Sequence, residues 1–111
     1  MIDIREITSR EDFDSFIETN KGDLHVVKFS ADWCQPCKVL GQRIKNLDLE
    51  KIGKTLFAEI DVSDDATEEL ANEFGISNIP VMAYIKNGEV KTMTTGLVST
   101  DDMYKKINEM A

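Results

Sequence analysis

The chain has 111 residues, which suits one compact domain over residues 1–111 and leaves little room for two. Its 21 acidic and 13 basic residues give a formal net charge of −8, a surface that repels phosphate backbones and anionic lipid, so neither nucleic acid nor a membrane is an expected partner. No run of about 18 apolar residues is present to span a bilayer, no basic stretch leads into an apolar one near Met1, and there are only two cysteines; the cytosol is therefore the expected compartment.

Apolar residues make up 41% of the chain and come in blocks such as Val26-Val27, Leu56-Phe57 and Ile79-Pro80-Val81, enough for a core. Ile2, Ile4 and Ile7 suggest a short first strand. Ser9 ahead of Glu11-Asp12 marks a helix start, with Phe13, Phe16 and Ile17 at helical spacing and Asn20-Lys21-Gly22-Asp23 as its end. Leu24 to Ser30 is almost continuously apolar, as a central strand buried on both faces should be. A second helix opens at Cys34-Gln35-Pro36-Cys37, where Pro36 fits the first turn, and Val39, Leu40, Ile44 and Leu47 form its apolar face. Lys54 to Val62 reads as a third strand and Ala66 to Phe74 as a third helix stopped by Gly75. Val81 to Lys86 and Glu89 to Thr95 flank Asn87-Gly88, a strong hairpin signal. Ser99 or Thr100 caps a last helix containing Met103, Ile107 and Met110. The order β-α-β-α-β-α-β-β-α predicts an α/β sandwich of parallel strands with helical crossovers and a C-terminal hairpin.

The two cysteines stand three apart, a spacing used by zinc sites as well as redox sites. A single pair leaves zinc short of two ligands, and the lone His25 sits earlier, within a strand. The pair also falls where a buried strand gives way to a helix, whose free N–H groups and positive dipole end stabilise a thiolate. Two intervening residues bring the sulfurs about one turn apart, within reach of a disulfide. These features favour redox chemistry, and no metal is expected. The acidic run from Asp61 to Glu69 lacks the spacing and glycine of a calcium loop and reads as a solvated helix start.

Three segments together resemble the thioredoxin family. Ala31-Asp32-Trp33-Cys34-Gln35-Pro36-Cys37-Lys38 is similar to its active-site segment, and Gly75-Ile76-Ser77-Asn78-Ile79-Pro80 to its cis-proline loop. Asn87-Gly88-Glu89 and Gly96 match its hairpin and the glycine that follows. Trp33-Cys34-Gln35-Pro36-Cys37 is unlike the tyrosine-containing motif of glutaredoxins. The resemblance runs in order along essentially the whole chain. It implies the thioredoxin fold, a central mixed sheet with helices on both faces, and a cis Pro80 facing the cysteines. It implies disulfide reduction in which Cys34 attacks the substrate disulfide and Cys37 resolves the mixed disulfide. Trp33, Gln35, Pro36, Asn78, Ile79 and Gly96 would form the docking surface. The partners implied are protein disulfides and a thioredoxin reductase. No organic cofactor is implied, and a monomer is expected.

Four positions depart from the family pattern. Gln35 stands where Gly is usual, which bears on the reduction potential. Gln42, preceded by Gly41, stands where a kink proline is common, so the helix should be either straighter or bent at Gly41. Lys28 replaces a buried Asp, and Glu59, twenty-five residues after Cys34, replaces a Lys found in some members. The swapped charges either pair behind the cysteines, with Lys28 stabilising a thiolate and Glu59 acting as base through water, or Lys28 snorkels to solvent and Glu59 is an ordinary surface charge. Trp33 either packs on the helix or meets substrate. Phe13, Phe16, Phe57 and Phe74 are expected in the core, as are Met93, Met103 and Met110, and His25 near the surface. A disulfide oxidase or isomerase outside the cytosol, and a binding module with incidental redox activity, are the alternatives to a cytosolic reductase.

Overall fold

The computed structural model describes residues 1–110. Its elements follow the expected order: β1 (Ile4–Ile7), α1 (Arg10–Glu18), β2 (Leu24–Ser30), α2 (Gln35–Lys45), β3 (Thr55–Asp61), α3 (Glu68–Glu73), β4 (Val81–Lys86), β5 (Glu89–Thr95) and α4 (Thr100–Met110). They build one five-stranded sheet in the order β1-β3-β2-β4-β5. β3 runs parallel to both β1 and β2, while β4 is antiparallel to β2 and β5. β2 is therefore the middle strand, and all seven of its residues are buried. The site begins at its C-terminal end.

Alternation along the strands sorts side chains onto two faces. On one, Leu24, Val26, Phe57, Met82 and Tyr84 pack against Leu40 and Ile44 of α2 and Met103 and Ile107 of α4. On the other, Val27, Phe29, Ala58, Ile60 and Ala83 pack against Phe16 and Ile17 of α1 and Leu70 of α3. Phe13 and Phe74 are half-buried at the margin of that second cluster, in an edge-to-face contact with centroids 5.8 Å apart. An Arg10–Glu73 ion pair ties α1 to α3.

Asn87 and Gly88, at φ values of 55° and 77°, form the two-residue turn between β4 and β5. Two consecutive left-handed residues match the right-handed twist of the strands they join. Before α4, the Ser99 hydroxyl accepts the Asp102 N–H at 3.1 Å, which makes Ser99 the cap.

Three expectations need correction. His25 is not near the surface but 1% exposed, because β2 is central and α1 covers it. Its ring nitrogens lie 3.0 Å from the Asp23 carbonyl oxygen and 2.7 Å from that of Thr19, with the ring edge-on to Phe16. Met93 is not core but 44% exposed: it lies opposite Ala83 on β5, the edge strand of the sheet. The third helix begins later than Ala66, since Asp65–Thr67 form a 3-10 turn capped by Asp64 before α3 starts.

Candidate active site

Beyond Ser30 the chain turns sharply, with the Cys34 N–H donating to the Ala31 carbonyl at 3.1 Å, and enters α2. Cys34 is the N-cap of that helix. Its sulfur accepts the Cys37 N–H at 3.2 Å, the place a serine or aspartate oxygen takes in other helices. Its carbonyl accepts the Lys38 N–H at 3.3 Å. Pro36 sits in the first turn, where a missing N–H leaves no bond unmade. A thiolate on Cys34 would thus face a backbone donor and the positive end of the α2 dipole.

Cys34 and Cys37 are joined as a disulfide, with their Cα atoms 5.3 Å apart. Cys34 is 5% exposed and Cys37 1%, so Cys34 is the more exposed residue of the pair. Ala31, Val62 and Ile79 pack against the pair. The Ile79–Pro80 peptide bond is cis, as the resemblance implied. The Pro80 carbonyl accepts the Gly96 N–H at 2.8 Å, which fastens the end of β5 to the proline loop. Gly96 has φ +90°, a conformation that suits glycine. Helix start, proline loop and Gly96 turn are thereby held in one assembly.

The other sequence-predicted residues fall around it. Trp33 is 74% exposed, so it is not packed away on the helix. Gln35, Pro36 and Asn78 are exposed, Ile79 and Gly96 half-buried, and Pro80 buried. Lys28 and Glu59 face each other across β2 and β3. The Lys28 ammonium donates to Glu59 Oε2 at 2.9 Å, with the lysine side chain 5% exposed and the glutamate 32%. Lys28 does not snorkel. Two residues acquire parts that their sequence positions did not suggest. Val62, read as the end of a strand, packs on the cysteines. Gly41, read as a possible bend, lies inside an uninterrupted α2 and makes room for Lys28: a Cβ there would fall 2.9 Å from the lysine Nζ.

Comparison with known proteins agrees with this geometry. The family model for thioredoxin matches residues 4–109. Mitochondrial thioredoxin of Mus musculus is 37% identical over 78 residues, 70% of this chain and 46% of that protein; the chain thus aligns to about half the length of such curated relatives. Thioredoxin of Chlamydia caviae is 31% identical over 104 residues, 94% of this chain and 96% of the relative. The X-ray structure of Fasciola hepatica thioredoxin superposes with a TM-score of 0.85 at 28% identity, covering 97% of this chain and all of that one. The family model spans nearly the whole chain and a relative covered almost end to end is 31% identical, and the chain belongs to the thioredoxin family.

Proposed function

We propose that the chain reduces protein disulfides by thiol–disulfide exchange and is itself re-reduced by a thioredoxin reductase, working as a monomer in the cytosol. The observation that carries this reading is the Cys34 sulfur at the helix cap, 3.2 Å from the Cys37 N–H. In the reduced protein the Cys34 thiolate attacks one sulfur of a substrate disulfide; a mixed disulfide forms and the other substrate sulfur leaves as thiolate. Cys37, as thiolate, then attacks the Cys34 sulfur, and the second substrate thiolate departs. The product is the Cys34–Cys37 disulfide. Exposed Trp33, Gln35, Pro36 and Asn78, with Ile79 and Gly96, give a substrate chain somewhere to lie beside the sulfurs. A cytosolic setting fits a chain whose only two cysteines are committed to exchange.

Insulin reduction with NADPH and a thioredoxin reductase tests the proposal. The protein should precipitate the insulin B chain catalytically. Cys34→Ser should abolish this, and Cys37→Ser should accumulate a mixed disulfide. Turnover that survives Cys34→Ser would refute the assignment of roles.

A further inference from the structure

His25 is the only histidine of the chain and is buried, and disulfide exchange makes no use of it. It stands near the start of β2, whereas the cysteines follow the other end of that strand. Its two ring nitrogens meet two backbone carbonyls, Nδ1 at 3.0 Å from the Asp23 oxygen and Nε2 at 2.7 Å from the Thr19 oxygen. A carbonyl oxygen only accepts, so each contact is a hydrogen bond only when its nitrogen carries a hydrogen. A neutral imidazole carries one. Its other nitrogen would then set a lone pair against an oxygen lone pair, a bond left unmade in a buried place. The imidazolium makes both bonds. The end of α1 favours the same form independently. Thr19 is the C-cap of α1, and the last turn of that helix contains no basic residue. The final carbonyls of a helix lack partners within it and carry the negative end of its dipole, which a cation suits. The ring of His25, reaching in from β2, fills the place that a lysine or arginine of the last turn fills in other helices.

We propose that His25 is a proton-operated latch: with both ring nitrogens protonated it ties the end of α1 to the turn that leads into β2, and loss of one proton frees that turn. The elements packed around the ring leave the two carbonyls as its polar partners. β3 and β4 set the uncharged Leu56 and Ile85 opposite His25, and α1 sets the Phe16 ring perpendicular to it with centroids 5.0 Å apart. Of the charged groups nearby, Glu18 and Lys21 are exposed and pair with each other at 3.4 Å. Asp23 shares a surface cleft with Lys54. Lys86, beside Leu24 on β4, donates to the Met110 carbonyl of α4. Deprotonation passes one ring proton to water and changes no other covalent bond. The neutral ring keeps the shorter bond, Nε2–H to Thr19, and gives up Asp23. The freed turn is a joint of the fold: the Asp23 N–H donates to the Asn20 carbonyl at 2.8 Å, and the Lys21 carbonyl accepts the Asn87 N–H of the β4–β5 hairpin at 3.2 Å. Loss of the proton therefore loosens both turns together, at the end of the sheet away from the disulfide.

The test uses the full chain, oxidised and labelled with nitrogen-15, across about pH 5 to about pH 9, a range that brackets imidazole titration. A single histidine gives a single pair of ring nitrogen resonances, and their shifts report which nitrogens carry hydrogen. Both should be protonated at the acid end, and the neutral ring should keep its hydrogen on Nε2. Amide exchange is followed in parallel and corrected for its intrinsic pH dependence. At Asp23 and Asn87 it should quicken by about tenfold or more as the ring loses its proton, with the same midpoint. The Cys37 N–H, at the other end of the sheet, should show no such step. His25→Gln carries no titrating group at this position, so both turn amides should exchange quickly across the whole range. Exchange that stays level while the ring titrates would overturn the proposal, as would a step of equal size in His25→Gln. If His25→Gln fails to fold, the ring and amide titrations of the unmodified chain decide the question by themselves.

Discussion

Tyr84 shows how one buried side chain couples the fold to pH. Its residue is 1% exposed, and burial pushes its phenol from an ordinary 10.0 up to about 12. Between those values the folded chain keeps a proton that the unfolded chain has lost, so stability is full below 10 and falls as pH rises. Tyr84→Phe should remove that slope. Urea unfolding at about pH 9 and about pH 11 should show the advantage of the unmodified protein over Tyr84→Phe shrinking by about 1 kcal/mol. Parallel stabilities over that range would mean that the phenol is not held neutral by its surroundings. At this scale the sequence was only partly readable. Lys28 announced itself as a charge in an apolar strand, and Glu59 could be counted to. Whether they met depended on strand register, and the role of Gly41 depended on how closely a helix approaches a sheet. His25 was misplaced because its polarity was weighed above the continuous apolar run around it, the stronger signal.

Elements whose geometry is set by neighbouring residues were legible, and those shaped by packing were less so. The Asn87-Gly88 turn and the Ser9 cap are local chemistry. α3 starts late because the Thr67 hydroxyl, buried, donates to the Asp61 carbonyl at 2.7 Å and holds the preceding turn tight. α1 lends itself to a test. The Ser9 hydroxyl accepts the Asp12 N–H at 3.0 Å, and the Asp12 carboxylate accepts the Thr8 N–H at 3.1 Å and the Thr8 hydroxyl at 3.0 Å. The Thr8 backbone bond, then its hydroxyl, hold the Asp12 carboxyl below the usual 3.8. Its contribution is present above that value and is lost as pH falls through the lowered one. Ser9→Ala should cost about 1 kcal/mol at neutral pH. Asp12→Asn should destabilise at neutral pH and leave stability less sensitive to acid. Both are read by urea unfolding at neutral pH and at about pH 3, and an Asp12→Asn protein with an unchanged acid response would show that the Thr8 contacts do not persist in solution.

For the molecule as a whole, the sequence disclosed the order of elements and the C-terminal hairpin, but β3 lies between β1 and β2, an arrangement no local pattern specifies. Charge acts at this same scale. The ion pairs Arg5–Asp12, Lys21–Glu18, Lys91–Glu89 and Lys106–Glu109 are largely solvated and contribute little each. The excess of acid over base, −8, remains after every such pair is counted. Like charges brought together on folding repel, and dissolved salt screens them over about 10 Å at 0.1 M. Raising NaCl from about 10 mM to about 300 mM should therefore raise the thermal midpoint by several degrees, on the order of 1 kcal/mol. The buried Lys28–Glu59 pair is screened far less than the surface. Lys28→Met with Glu59→Gln should accordingly unfold at a different temperature yet gain the same increment from salt. A midpoint that falls as NaCl is added would mean that the exposed pairs, once screened, had been worth more than the repulsion among the surplus carboxylates.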